Sequence, residues 1–268
     1  MSVRKAFLQF LKLFVIFLLV GTLGGIIKYF LKYQEVTAPI IDVFTTIISY
    51  FLFFKYILKQ ETDIQVKASF RLISDNLIFP IILIAIGLEF FEKPLFDMYD
   101  KIFVPKEFLN IFKHTKNVEL NISLIFSLIS SLVVAPIFEE IIFRKYLLGN
   151  LLKENSVQKA ILFSSICFSL FHFPNFRNLL PTFIFGVIAG YIYVKTKNIT
   201  YTLVFHFVVN LIVSLIRFYG ATLIENLTNL HFNIFYWLIT TFGGIILIYF
   251  GIKFFNKNLG KVEIESSN

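Results

Sequence analysis

Six polar side chains stand inside stretches otherwise suited to hydrocarbon: Glu139, Glu140 and Arg144 in APIFEEIIFRK, His172 at the end of FSLFH, and His206 and Asn210 at the two ends of HFVVN. Carboxylate and imidazole are the groups that move protons near neutral pH and that bind metals, so a set of this kind is equipped for acid–base or metal-assisted chemistry. Each cluster also has a purely structural reading. On a helix Glu140 and Arg144 are four residues apart and close enough to pair, while Glu139 is turned about 100° away, which holds one glutamate and leaves the other free. That arrangement also describes an ion pair near a helix end. Phe168 and His172 share a face, as a hydrogen-bonded packing histidine does, and His206 with Asn210 on one stripe can glue two helices.

The surrounding chain makes the functional reading matter. The run Ile122 to Phe138 contains no charge, so the glutamates arrive deep in a hydrophobic segment. A charge at such depth costs about 2.5 to 3.5 kcal/mol per residue even on lenient insertion scales, which points these side chains into a protein-lined or wet cavity. Pro136 has no N–H for the carbonyl of Leu132, so a kink or an exposed carbonyl is expected just before them.

Hydrophobic residues make up 57% of the 268, Phe alone numbers 36, charged residues are 16%, and the mean hydropathy is +0.78. This is the composition of an all-α polytopic membrane protein. Eight apolar runs mark the spans, at about 6–30, 37–58, 76–91, 121–143, 158–174, 179–194, 199–216 and 232–255. They are helices, because only helices and closed barrels satisfy their backbone in lipid. The first follows Arg4 and Lys5 as a signal peptide would, but it is long and lacks an A-x-A site, so it reads as a retained helix.

The net charge of +8 is scattered through short connections, which argues for membrane topology and against a nucleic-acid partner. With the N-terminus in the cytoplasm, that side collects 16 of the 25 Lys and Arg, and both termini are expected there. The long segment Glu92 to Lys116 reads as an extracytoplasmic loop. Three regions follow: 1–115 with the N-terminal spans and this loop, 116–215 with the polar clusters, and 216–268 with the last span and a tail. Cys167, the single cysteine, reads as a buried structural thiol.

Depth brings the clusters together. If the helix carrying the glutamates turns at 153–156, Glu139 lies about 20 Å before the turn and His172 about 24 Å after it at 1.5 Å per residue. His206 and Asn210 stand about 12 and 18 Å past the turn at 195–198. One cavity reached from the cytoplasmic side accommodates all of them.

In order, the stretches read EExxxR, FxxxH and HxxxN, and they resemble the signatures of the CPBP family of intramembrane proteases, the type II CAAX prenyl endopeptidase and bacteriocin-processing (Abi) family. The text FGVIAGYIYVKTKNITYTLVFHFVVN is similar to that family's glycine-bearing sixth helix, turn and seventh helix, and the likeness covers about Ser123 to Val213. What the resemblance implies is peptide-bond hydrolysis by a water held between Glu139, the general base, and His172. By the same resemblance, His206 and Asn210 stabilise the oxyanion, and Glu140 with Arg144 and Phe168 shape the site. The implied substrate is a membrane-associated peptide or protein.

Neither histidine opens an HExxH, since both are followed by phenylalanine, and none of the five aspartates forms an intramembrane pair. Ser164, Ser165 and Ser169 have no glycine-flanked nucleophile turn and read as packing residues. Glu139, His172 and His206 are legitimate zinc ligands, so a metal-free glutamate mechanism is preferred with zinc as an alternative. A non-catalytic scaffold or immunity protein of the same fold is the competing reading. A transporter is disfavoured by the absence of two related halves. Richness in Ile, Lys, Asn and Phe hints at a bacterial cell membrane.

Overall fold

The computed structural model describes residues 1–31, 37–58, 74–104, 121–219 and 233–267, and among them every regular element is helical. The described residues form eight helices: α1 Val3–Phe30, α2 Thr37–Phe53 with a π turn Phe54–Leu58, α3 Asp75–Phe103, α4 Ile122–Leu151, α5 Val157–Phe171, α6 Phe176–Thr196, α7 Ile199–Tyr219 and α8 Ile234–Ser267. They correspond one to one with the eight apolar runs. Six of them, all but α3 and α5, are long and apolar enough to cross a membrane. The chain is an all-α polytopic membrane protein.

Local chemistry sets the starts and stops. Ser2, Asn121 and Ser156 each accept a hydrogen bond from the backbone N–H three residues on, capping α1, α4 and α5. At the end of α6, Lys197 takes a left-handed conformation (φ 51°) and returns its N–H to the carbonyl of Tyr193 at 2.7 Å, turning the chain into α7.

Contacts at the helix ends sort them onto two sides. The amide of Asn155 donates to the carbonyl of Met1, the N–H of Ser74 donates to Tyr201 Oη at 2.8 Å, and Asn258 donates to the carbonyl of Asn76 at 2.7 Å. Val157 and Lys195 line one groove. The starts of α1, α3 and α7 and the turns α4–α5 and α6–α7 therefore share one end of the bundle. This agrees with the grouping of the basic connections.

One expectation is corrected. The segment from Glu92 is not a loop: α3 runs on through Pro94 to Phe103, and only 105–116 lies outside the described residues. Two of the acidic residues that suggested a loop, Asp97 and Asp100, are paired within the bundle. Arg177 at the start of α6 makes a two-pronged bond to Asp100, at 2.8 Å on each side, and lies over the Phe96 ring. Asp97, fully buried, takes Lys93 and the indole N–H of Trp237 from α8. Partnered charge is tolerated where free charge is not.

Helices α3 and α8 pack closely through glycines. A Cβ added at Gly244 would stand 2.7 Å from the Gly87 carbonyl, and one at Gly251 would stand 2.5 Å from the Ile84 side chain. Small residues let two backbones close to this distance, the usual device where lipid removes the hydrophobic incentive to associate. On the opposite flank, α1 and α2 pack onto α4 and α5 through rings: Phe17 meets Tyr50 and Phe171 edge-on, and Tyr50 stacks on Phe138.

Candidate active site

Helix α4 carries the glutamates and is irregular around them. It passes from α-helix to π-helix at Ser130–Val134, returns to α over Ala135–Glu139, and is π again over Glu140–Leu148. Pro136 accounts for the first disturbance. In the π register Ala135 N–H reaches back to the Ser130 carbonyl, so the carbonyl of Ser131 would need the N–H of residue 136, which proline lacks. The acceptor left over is Ser131, one residue from the Leu132 carbonyl that regular α spacing indicates. Asn210 of α7 fills it, its amide nitrogen donating to the Ser131 carbonyl at 2.7 Å.

The second π stretch presents the charged residues inward. Glu140 and Arg144 are buried to 0% and 1% exposure, an isolation that only mutual pairing supports. Arg144 Nε lies 3.2 Å from Glu140 Oε2. The two Nη atoms have no hydrogen-bond partner among the described residues, and the guanidinium sits over the rings of Phe168 (4.4 Å) and Phe185 (5.5 Å). Alignment of the ion pair is thus imperfect, and the faces of two phenylalanines complete the cation's surroundings.

Glu140 turns its other oxygen to His206: Oε1 and Nδ1 are 2.9 Å apart. A carboxylate oxygen only accepts, so Nδ1 carries the proton and Nε2 is directed elsewhere. It points to Glu139, 3.8 Å from Oε2. The other oxygen of Glu139 accepts from the hydroxyl of Tyr50 at 3.3 Å. Thr202, one turn before His206 and fully buried, stands beside Glu140 and donates its hydroxyl to the carbonyl of Ile199 at 2.9 Å. The ring of Phe185 packs 4.7 Å from His206, so the imidazole is fixed on its face as well as its edge.

Glu139, Glu140, Arg144 and His206 are therefore in one cluster, roofed by Phe168. His172 and Asn210 border it. His172 caps α5, and its Nδ1 donates to the carbonyl of Phe168 at 2.9 Å, which leaves Nε2 as the nitrogen with a free lone pair. Its ring touches those of Phe168 and Phe171. Asn210 keeps one amide hydrogen beyond the one given to Ser131. The serines behave as packing residues: Ser164 donates to Phe143, Ser165 to Ile161 and Ser169 to Leu179, each to a backbone carbonyl. Cys167 is a buried free thiol.

Among the described residues no three His, Cys, Asp or Glu side chains converge as metal ligands. Glu139 and His206 approach each other and His172 keeps a free Nε2 lone pair, but the three side chains do not converge on one point, so Glu139, His172 and His206 do not form a zinc site as arranged. Three participants escape sequence reasoning. Tyr50 is an ordinary aromatic residue in an apolar run, Phe185 is one phenylalanine of 36, and Thr202 is flagged only by standing four residues before His206.

Comparison with known proteins now bears on this arrangement. Residues 121–212 match the family described as type II CAAX prenyl endopeptidase Rce1-like. The chain is similar to a protein of Bacillus subtilis (strain 168) named putative membrane peptidase YdiL, 33% identical over 90 residues, a stretch that covers 34% of this chain and 36% of that relative. The chain thus spans about a third of that relative's length. No solved structure matches it. The matched residues hold all three polar motifs in order, and the segment 121–212 is similar to the type II CAAX prenyl endopeptidase Rce1-like family.

Proposed function

We propose that the protein is an intramembrane endopeptidase that hydrolyses peptide bonds of membrane-associated peptides or proteins, with Glu139 as the base. The observation that carries this is the unequal treatment of two adjacent carboxylates. Arg144 and His206 Nδ1 occupy Glu140, whereas Glu139 has only a neutral hydroxyl on one oxygen and an imidazole edge 3.8 Å from the other. A carboxylate so placed can accept a proton.

In the proposed reaction water attacks the scissile carbonyl carbon and gives a proton to Glu139. His206 acts as the imidazolium, with one N–H held by Glu140 and the other on Nε2. The oxygen of the tetrahedral intermediate takes hydrogen bonds from that Nε2–H and from the second amide hydrogen of Asn210, in a site dry enough for such bonds to count. Collapse breaks the C–N bond, and Glu139 returns its proton to the leaving amine. His172 Nε2, with its lone pair free, orients the water. No step is assigned to a metal. The resemblance extends to membrane peptidases of bacteria, and we place the protein in a bacterial cell membrane with both termini cytoplasmic.

The test is cleavage of a quenched-fluorescent peptide library by the detergent-purified full chain, with Glu139→Gln, His172→Ala and a zinc chelator as separate arms. Activity lost in both variants and retained with chelator supports the proposal. Activity retained in both variants overturns the site. Loss on chelation transfers Glu139 and its neighbours to a metal-binding role. A folded wild type that cleaves nothing overturns the enzyme reading in favour of the scaffold.

A further inference from the structure

The family-matched segment begins at residue 121, yet one oxygen of the proposed base is held from outside it. We infer that the α1–α2 hairpin completes the active site and that Tyr50 is a positioning residue for Glu139; this rests on the protease reading above.

Four observations support it. The Tyr50 hydroxyl donates to Glu139 Oε1 at 3.3 Å across 89 residues of sequence. Tyr50 is 1% exposed, so the hydroxyl has been taken out of water and needs the partner it has found. Its ring is fixed on two sides, stacked on Phe138 (4.7 Å, 11° between planes) and met edge-on by Phe17 of α1 (4.7 Å, 70°). Phe138 directly precedes Glu139, so the same aromatic stack that orients the tyrosine also fixes the backbone from which the glutamate projects. The hairpin therefore supplies an apolar wall with one polar atom in it, and that atom is aimed at the carboxylate.

The division of oxygens has a chemical consequence. With Oε1 engaged by Tyr50, Oε2 on the His206 side is the oxygen that receives the proton of water, and the plane of the carboxylate is set toward α7. Among the described residues the other charged and titratable groups around Glu139 are Glu140 and Arg144 on its own helix and His206 on α7. Tyr50 is the donor that α2 contributes, while α1 and α5 bring Phe17 and Phe171. Base orientation in this chain is thereby divided between the family-matched segment and a hairpin outside it.

The experiment uses the full chain and compares wild type, Tyr50→Phe, Tyr50→Ala, Glu139→Gln and the double variant Tyr50→Phe/Glu139→Gln. Tyr50→Phe keeps the stacked ring and removes only the hydroxyl. It should lower kcat about tenfold or more with KM within about twofold, and it should have no further effect in the Glu139→Gln background, because the two residues act as a unit. A second arm independent of turnover records the carboxylate stretch of Glu139 by isotope-edited infrared difference, with Glu139→Gln to identify the band; loss of the hydroxyl shifts it.

Tyr50→Phe with unchanged kcat and an unchanged band overturns the inference. So does a kcat loss seen only in Tyr50→Ala and paralleled by a fall in Tm, which is a packing effect. If the wild type cleaves nothing, the protease reading fails on its own account, and an unshifted band then overturns the contact as well, whereas a shifted band sustains it.

Discussion

Glu140 and His206 lie 66 positions apart in the chain and meet at 2.9 Å inside the bundle, while Glu139, next to Glu140 in sequence, faces the opposite nitrogen of the same ring at 3.8 Å. One imidazole therefore stands between two carboxylates that the helix has turned apart. Its orientation is inherited from Glu140, and that residue's charge is balanced by Arg144.

Glu140→Gln should leave His206 without its charged acceptor and Arg144 without its counter-ion. We expect kcat to fall about 100-fold, the scale of a misplaced acid–base group. Arg144→Ala leaves a fully buried carboxylate and should cost about 3–5 kcal/mol, read as a drop in unfolding midpoint in detergent. The double variant Glu140→Leu/Arg144→Met should recover most of that stability and none of the activity. If Arg144→Ala melts as the wild type does, the pair is not buried as described.

Asn210 should be replaceable only when the reason for its bond is removed. Asn210→Leu strands the Ser131 carbonyl and should cost about 1–3 kcal/mol. Pro136→Ala restores a backbone N–H at the position the π register lacks, and in that background Asn210→Leu should cost less by a measurable margin in Tm. Additive effects in the cycle would show that Asn210 and Pro136 do not share this carbonyl.

The α3–α8 contact should be intolerant at two glycines and tolerant beside them. Gly244→Leu and Gly87→Val drive a side chain into backbone 2.7–2.9 Å away and should lower Tm steeply or abolish folded protein on size exclusion. Gly243→Ala faces open space and should raise stability by about 0.5–1 kcal/mol, since alanine in a helix loses less chain entropy than glycine. Equal tolerance at 243 and 244 would move the helix interface elsewhere.

The far end of α3 gives a graded pair. Asp97 is 0% exposed and bonded to Lys93 and Trp237, so Asp97→Ala should cost about 1–3 kcal/mol. Asp100 pairs with Arg177, whose side chain is 43% exposed, and Asp100→Ala should cost at most about 1 kcal/mol. Urea or thermal unfolding of the two variants checks the order. Were 92–103 a solvated loop, neither substitution would register.

By itself the sequence determined the class and where the apolar helices run, because runs of apolar residues long enough for a bilayer leave the backbone no other way to bond itself. It also singled out the side chains that are expensive in hydrocarbon, Glu139, Glu140, Arg144, His172, His206 and Asn210, because that expense is visible residue by residue. The Glu140–Arg144 pair was legible too, since helical spacing puts them on one face. Partners from other helices were not legible. Nothing local to Tyr50 announces that it meets Glu139, nothing in HFVVN says that Asn210 answers a carbonyl left over by Pro136, and the charges of 92–103 look like a loop until Arg177 and Trp237 arrive to pair with them. Spacing along one helix is fixed by its repeat. Which helix comes to face which, and at what height, is decided by packing of glycines and aromatic rings between elements far apart in the chain, and only the tertiary structure contains it.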